Sequence, residues 1–213
     1  MTTQLDVLVV ENRRHAADEA AAALQAAGHR VHRCLSPDGP GFPCTAIAER
    51  GSCPIDHGID VALAVRDRVE PRPTRYEVGT GCAIRAGIPL AEHGPEVLDP
   101  FDPWVTVRCG HDGDVVAAVE TAADKGLDEL RAGILSRVAP LLPVTEDRSA
   151  LSCGFERRGL HLDVHLFGPP VGTRIEQAMA VRVLDAVWHA DRTHDHVDVR
   201  YHASAPASDG TDA

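Results

Sequence analysis

Two short runs of the sequence are apolar at nearly every position, and they constrain the fold more than any other feature. They are LDVLVV, residues 5–10, and DVALAV, residues 60–65. A strand with one solvated face alternates apolar and polar side chains, whereas a strand buried on both faces is apolar throughout. Such strands belong to parallel sheets that helices cover on both sides. The sequence therefore predicts a parallel sheet between helices.

Helix-like segments separate these runs from three further strand-like ones, RVHRC, IPLAEH and WVTVRC. Residues 13–27 are rich in alanine, with Asn12 as the expected cap and Gly28 at the end. Residues 75–87 suit a second long helix, ended by Gly87. Five strands interleaved with helices predict an α/β fold with a doubly wound five-stranded parallel sheet in the order 2-1-3-4-5, within residues 1–110.

The second half of the chain has a different pattern. Residues 111–143 are expected to form a helical linker, interrupted near Gly126 or Gly133. LHLDVHLF alternates apolar and polar residues, which predicts the second strand of a hairpin with one buried face. A helix and a last strand follow, so residues 149–203 form a small α+β unit of type β-β-α-β. The composition of residues 204–213 is typical of a disordered tail.

Charge and hydropathy exclude two classes of partner. The formal net charge is −11, with 32 acidic and 21 basic residues, and this opposes broad contact with phosphates. No stretch approaches the roughly 18 apolar residues of a membrane span, and the first residues lack a signal-peptide layout. We expect a cytoplasmic protein that binds neither nucleic acid nor membrane. In that compartment its six cysteines would be reduced, metal-bound or redox-active.

The segment after the second strand, residues 35–58, concentrates soft donor atoms. Cys34, Cys44, Cys53 and His57 lie close together in sequence. Thiolate and imidazole are ligands of zinc and of iron–sulfur clusters, so these four residues are the candidate metal ligands, with an exogenous group as the alternative to His57. The tight C-x-x-C spacing of many zinc sites is absent. A Cys44–Cys53 redox pair and chemically inert cysteines therefore remain as alternatives.

LDVLVVENRRHAADEAAAALQAAGHRVHRC resembles the opening of a response-regulator receiver domain. The resemblance implies a flavodoxin-like or receiver-like unit over residues 1–110. In a receiver the first strand ends in an acidic pair that holds magnesium, and the third ends in the phosphorylated aspartate. Here Glu11 and Asn12 stand at the first place and Val65 at the second, with Asp67 two positions late. We therefore expect the fold without phosphotransfer.

RYEVGTGCAIRAGIPL resembles the catalytic helix and strand of nucleoside 2-deoxyribosyltransferases and related N-glycosidases. That resemblance implies that Glu77 is the nucleophilic carboxylate, and Asp67 is the acid that lies nearest after the third strand. The structural alternative is a glutamate in the first turn of a helix, where the helix dipole favours it.

DVHLFGPPVGTRIEQAMAVRVLDAV resembles the alkaline-shock protein family, a small α/β fold without enzymatic activity. Alternation places two sets of polar residues on one face of their strands. If the strands pair, the sets converge as a surface metal patch, a pH-responsive interface or a subunit contact: His161, Asp163, His165 and His196, Asp198, His202. We expect a homo-oligomer formed through this unit.

Two functions follow from these features. The favoured one is a non-enzymatic regulatory or scaffold protein that senses metal or redox state through Cys34, Cys44, Cys53 and His57. The alternative is a deoxyribosyltransferase-like enzyme that works through Glu77.

Overall fold

The computed structural model describes residues 4–36, 38–39, 41–95, 98–143, 146–158, 160–190 and 194–203. The chain divides into two compact units, Met1–Leu127 and Asp128–Ala213. The tail predicted over residues 204–213 lies outside the described residues. None of the described helices is both long and apolar enough to cross a lipid bilayer.

The first unit contains a five-stranded sheet in which every neighbouring pair is parallel. Its strand order is β2-β1-β3-β4-β5, as predicted. This is the flavodoxin-like order of doubly wound folds, in which ligands bind outside the carboxyl ends of the strands. The strands are β1 (Asp6–Glu11), β2 (Arg30–His32), β3 (Val61–Val65), β4 (Leu90–His93) and β5 (Val105–Cys109).

Two apolar clusters, one on each face of this sheet, explain the continuous apolar runs. Val7 and Val9 of β1 contribute to one cluster, whereas Leu8 and Val10 contribute to the other. Both clusters contain residues from the covering helices, so all side chains of β3 and all but the last of β1 are buried. The helices are α1 (Asp18–Ala26), α2 (Thr45–Ala48), α3 (Val78–Ala86) and α4 (Val115–Val138), with 3₁₀ turns at Pro54–His57 and Asp102–Trp104.

The first helix is shorter than predicted. It begins at Asp18 rather than at residue 13, and Asn12 does not cap it. His15 has a φ of 66°, a left-handed conformation that cannot continue a right-handed helix. The predicted end is confirmed, because Gly28 follows the helix with a φ of 94°.

Helix α4 runs through the residues predicted as a linker, and neither Gly126 nor Gly133 interrupts it. The division between the units falls inside this helix, between Leu127 and Asp128. A 3₁₀ turn, Ala139–Leu141, follows it because Pro140 cannot continue the helical hydrogen bonding.

The second unit is a three-stranded sheet with one helix, which confirms the predicted β-β-α-β order. Strands β6 (Ser152–Arg158) and β7 (His161–Gly168) form an antiparallel hairpin. Helix α5 (Thr173–Ala190) then leads to β8 (His196–Ala203), which pairs with β7 in parallel. A 3₁₀ turn, Arg148–Ala150, precedes the hairpin. One face of the sheet carries the core with α5 and the second half of α4, and includes Leu162, Val164, Leu166, Met179 and Val183.

Candidate functional site

The carboxyl ends of β3 and β4 are held against each other at the edge where ligand sites of such sheets lie. Arg66 is the first residue after β3, and its backbone N–H donates to the carbonyl oxygen of His93 at 2.8 Å. Gly94 follows β4 with a φ of 150°, and a Cβ there would overlap the carbonyl oxygen of Arg66. Only glycine permits this approach.

A buried guanidinium occupies this edge. The Nε of Arg66 lies 2.9 Å from Oε1 of Glu77, and its Nη1 lies 3.2 Å from Oδ1 of Asp99. All three side chains are 1% exposed. Nη2 of Arg66 also donates to the carbonyl oxygen of Glu70. A buried charge is tolerated when it is paired, and Arg66 has two carboxylate partners and a carbonyl oxygen.

Two further groups extend this network, which we call the Arg66 network: Arg66, Glu77, Glu92, Asp99 and Arg108. Burial, followed by the hydrogen bond and charge of Asp99, raises the pKa of Glu92 to about 8. Burial opposes ionisation of Asp99, but hydrogen bonds from Glu92, the Phe101 N–H and Arg108 lower its pKa below the usual value.

Glu92 is therefore the protonated member at neutral pH, and it donates to Asp99. Arg108 also contacts Asp99, with 2.8 Å between Nη2 and Oδ2. Two guanidinium groups, those of Arg66 and Arg108, then face two carboxylates, those of Glu77 and Asp99. Arg108 also binds the exposed Asp102, with 2.6 Å between Nη2 and Oδ1.

The structure places Glu77 and Asp67, the candidate catalytic residues, with different partners. Glu77 precedes α3 as its N-cap residue rather than lying in its first turn, and its Oε2 accepts the Thr74 N–H at 2.7 Å. Asp67 is ion-paired with Arg13, and its N–H donates to Oδ1 of Asn12 at 3.3 Å. The transferase role of Glu77 stays a prediction, but this geometry makes Glu77 a counter-ion of Arg66.

Glu11 and Asn12, at the position of a receiver's acidic pair, form hydrogen bonds with other parts of the chain. Oε2 of Glu11 accepts the Ala17 N–H at 3.1 Å. Asn12 is 1% exposed, and its Nδ2 donates to the carbonyl oxygen of Arg68 at 3.2 Å. The hydroxyl of Thr74 donates to the carbonyl oxygen of Asn12 at 2.7 Å. This corner connects the loops after β1 and β3 through hydrogen bonds, and it offers one carboxylate instead of two.

The cysteine segment folds back on the end of β2. The N–H of Thr45 donates to the carbonyl oxygen of Cys34 at 3.0 Å, which brings the neighbouring Cys44 to that strand end. Cys34 is buried, Cys44 and Cys53 are half-buried, and all are free thiols. Cys53 precedes the 3₁₀ turn that contains His57. An open depression of about 260 Å³ lies beside Cys44, lined in part by Pro43 and Thr45.

A fourth thiol, which the sequence analysis did not include, lies near this group. Burial, followed by the nearby thiols of Cys44, Cys82 and Cys53, raises the pKa of Cys34 to about 11. A Cβ on Gly79 would lie 2.7 Å from the Cys34 sulfur, and Cys82 is one helical turn beyond Gly79 on the same side of α3. Cys82 lies inside a predicted helix, and only the packing of α3 on the sheet reveals which way it faces.

The candidate ligands are neighbours, but their donor atoms are too far apart to bind one ion in this structure. The four candidates Cys34, Cys44, Cys53 and His57 all lie in the described part of the chain, and no three of them bring their donor atoms within 4.8 Å of one another. Ion binding by this segment stays a prediction, and it would require the donors to move closer together.

The two polar sets of the second unit do converge. β7 and β8 pair so that Asp163 lies opposite Asp198 and His161 lies opposite His196. Farther along, Nδ1 of His165 lies 2.9 Å from Nε2 of His202. We call this the outer face, and it comprises the side chains that point away from the core: Glu156, His161, Asp163, His165, His196, Asp198, Arg200 and His202.

Sequence reasoning also missed Arg66, Glu92, Asp99 and Arg108. Two signals were available for them. Arg66 directly follows DVALAV, and Glu92 interrupts the apolar run of IPLAEH, a strand expected to be buried on both faces. A charged residue in such a place requires a partner. The sequence does not indicate that Asp99 is that partner.

Comparisons with known proteins give limited information. No family model matches the chain, and no curated protein matches it. Among solved structures, full-length FixJ from B. japonicum is similar, with 18% identity over 67% of this chain and 71% of that chain and a TM-score of 0.36. The response regulator StyR has 14% identity over 93% and 94% of the two chains and a TM-score of 0.34.

A single-residue variant of Era from Aquifex aeolicus, bound to GDP.AlF4-, is also similar, with 8% identity over 95% of each chain and a TM-score of 0.31. Because these TM-scores are below 0.5, we assign the fold from the strands themselves. The parallel pairing and the order β2-β1-β3-β4-β5 make the first unit an α/β unit with a receiver-like fold.

Proposed function

We propose that the chain is a non-enzymatic regulatory or scaffold protein of the cytoplasm, in which a receiver-like unit responds to metal or redox state. The observation that carries the proposal is the buried guanidinium of Arg66. It directly follows β3, at the edge where a receiver keeps its phosphorylated aspartate, and it is ion-paired with Glu77 and Asp99. A buried, ion-paired arginine at this place supports a role without phosphoryl transfer.

The same network disfavours the transferase alternative. A nucleophilic carboxylate must reach its substrate, whereas Glu77 is 1% exposed and ion-paired with Arg66. The test is incubation of the full chain with acetyl phosphate and, separately, with deoxynucleosides. We expect no mass increase and no free base. An acid-labile adduct, or base release that Glu77→Gln abolishes, would overturn the proposal.

The sensing role is supported by the thiols near Cys34. Cys44, Cys53 and Cys82 are half-buried, and thiolates are preferred ligands of zinc and of iron–sulfur clusters. Binding of either would draw these side chains together, with His57 as the alternative fourth ligand. Oxidation of Cys44 and Cys53 to a disulfide would restrain the same segment. Either change would alter the surface at the carboxyl edge of the sheet.

Elemental analysis and an absorption spectrum of protein purified without oxygen test this role. We expect zinc or iron to be present, and to be lost in Cys44→Ser. Loss in Cys82→Ser but not in His57→Gln would identify the fourth ligand as Cys82. Cys109→Ser is the control, because that cysteine ends β5 and is not among the thiols that raise the pKa of Cys34. Protein with neither a metal nor an oxidant-induced disulfide would contradict the sensing role.

The proposal includes a homo-oligomer formed through the second unit. Two apolar side chains of α5 are exposed within the described structure, Val181 at 64% and Trp188 at 58%. They are seven residues apart and so lie on the same side of the helix. Sedimentation velocity should show dissociation in Trp188→Glu but not in Arg182→Glu, which changes an exposed residue of another side. A monomeric wild-type protein would contradict this part of the proposal.

A further inference from the structure

Three donor atoms converge on the outer face of the second unit. Nε2 of His161 lies 3.1 Å from Oδ2 of Asp198 and 3.7 Å from Oδ1 of Asp163. One donor atom of each of these three side chains lies within 4.8 Å of the other two. His161 and Asp163 are two positions apart on β7, and Asp198 lies opposite Asp163 on β8. Hydrogen-bonded strands therefore fix the positions of all three residues.

These spacings match those of metal ligands. Zinc binds imidazole nitrogen and carboxylate oxygen at about 2.0–2.2 Å, so tetrahedral geometry separates two such donors by about 3.3–3.6 Å. The observed separations of 3.1 Å and 3.7 Å lie on either side of that range. Only small side-chain rotations are needed to bring the donors to ligand distances.

We propose that His161, Asp163 and Asp198 bind a divalent first-row transition-metal ion. One imidazole and two carboxylates suit zinc and its neighbours, and they are not the thiolate set that selects Cu(I). Exposure of 34% for His161 and 60% for Asp198 leaves the solvent side open for water ligands.

Arg200 is the competing cation at this site. Its Nη2 lies 3.4 Å from Oδ1 of Asp163, and its side chain is 57% exposed. Because Asp163 is only 2% exposed, its carboxylate needs a nearby positive charge, which Arg200 supplies in this structure. A bound divalent ion supplies more charge at closer range, and the Arg200 side chain is free to extend into water.

The site lies in the second unit and does not depend on the cysteines or on the proposed function. The test uses the full chain, stripped of metal with a chelator and titrated with Co²⁺. Thiolate ligation of Co²⁺ gives intense near-ultraviolet absorption, whereas nitrogen and oxygen ligation gives only weak visible bands. We expect one equivalent with weak visible bands, in addition to any thiolate-bound equivalent that Cys44→Ser removes, and zinc should displace it.

Asp198→Asn and His161→Gln should each weaken this binding at least about 10-fold. Both change partly exposed side chains, and circular dichroism checks that the fold is retained. His202→Gln is the matched control, since His202 is on the same face and contacts His165 and Phe167. Binding that is equal in wild type and both variants, or a wild type that binds Co²⁺ only through thiolates, would overturn the proposal.

Discussion

Both sheets carry a group of charged side chains, but one group is mostly buried and the other is partly exposed to water. The Arg66 network lies at the end of a sheet that apolar clusters cover on both faces, and Arg66, Glu77 and Asp99 are each 1% exposed. The outer face belongs to a sheet whose other side carries the core, and exposure there reaches 60% at Asp198. Similar residue types thus occupy opposite environments.

This difference in burial predicts that the Arg66 network contributes to stability, whereas the outer face contributes to ligand binding. A buried ion pair whose charges balance within the chain is costly to break, because removal of one partner leaves an isolated charge. Exposed charged groups contribute little to stability, because water solvates them in the unfolded chain as well. We therefore expect substitutions in the Arg66 network to unfold the first unit, and substitutions on the outer face to alter ligand binding alone.

The largest effect is expected for Arg66→Met. It leaves Glu77 and Asp99 buried without their cation, so the first unit should lose about 3–5 kcal/mol of its free energy of unfolding. Urea unfolding at pH 7 measures this. The fluorescence of Trp104 in a Trp188→Phe background reports on the first unit alone, because the chain has two tryptophans.

Arg13→Met is the control, since it removes an ion pair with Asp67 whose arginine is 53% exposed. It should cost less than about 1 kcal/mol. Addition of Glu77→Gln to Arg66→Met should recover part of the loss. Equal losses for Arg66→Met and Arg13→Met would break the comparison between buried and exposed charges.

The second expected effect is a dependence of the stability of the first unit on pH. The pKa of Glu92 is raised from 4.5 to about 8 by burial and Asp99, so the folded state binds more protons than the unfolded state between these values. Its contribution is complete below about pH 4.5 and is lost as the pH rises through about 8, at up to about 1.4 kcal/mol per pH unit. Stability of the first unit should decline from pH 5.5 to 7.5.

Glu92→Gln keeps a neutral hydrogen-bonding group, so it should flatten this decline. Glu49→Gln, at an exposed carboxylate, should leave the slope as in wild type. The lowered pKa of Asp99 affects stability only at more acidic pH, so it does not mask the result. Parallel profiles for wild type and Glu92→Gln would refute the assignment of the proton to Glu92.

A smaller effect is expected in α3, where two glycines differ in their surroundings. A Cβ on Gly79 would lie 2.7 Å from the Cys34 sulfur and 2.9 Å from Cγ2 of Val10, so Gly79→Ala should cost about 1–3 kcal/mol. A Cβ on Gly81 would meet only Nη1 of Arg85, at 3.8 Å, so Gly81→Ala should stabilise the helix by about 0.5–1 kcal/mol. Thermal unfolding compares the stabilities of the two variants. A stability change of the same sign in both would contradict this packing of α3.

The smallest effect is expected for His202→Ala on the outer face. His202 is exposed, and its contact with His165 is at the surface, so the change in the unfolding free energy of the second unit should stay within about 0.5 kcal/mol. Trp188 fluorescence in a Trp104→Phe background measures it. A loss as large as that of Arg66→Met would mean that the outer face is covered rather than open.

Both sheets could be predicted from the sequence because the residue patterns that indicate their strands are local. Apolar side chains at successive positions of β1 and β3 indicate burial on both faces, and the parallel order follows from the alternation with helices. The alternation in β7 likewise predicted the face that carries His161, Asp163 and His165. Helix starts were predicted less well, since the left-handed conformation of His15 has no clear signal in residue type.

The Arg66 network could not be predicted because its partners are distant in sequence. Arg66 and Asp99 are 33 positions apart and meet only when the ends of β3 and β4 come together. The position of Arg66 directly after DVALAV indicates that it needs a partner, but nothing local identifies Glu77 and Asp99 as the partners. The same holds for Cys82, whose direction depends on how α3 packs.

The close approach of Gly94 to Arg66 and the ion pairs around that arginine also limit how this chain could change by mutation. Arg66→Asp would place a carboxylate directly after β3, beside Glu77 and Asp99, and would remove the cation that those two residues share. Three acidic groups would crowd a site closed to water, and no single substitution relieves that. Placing an acidic group at this position therefore requires several changes at once, each unfavourable alone, so stepwise mutation cannot easily introduce one.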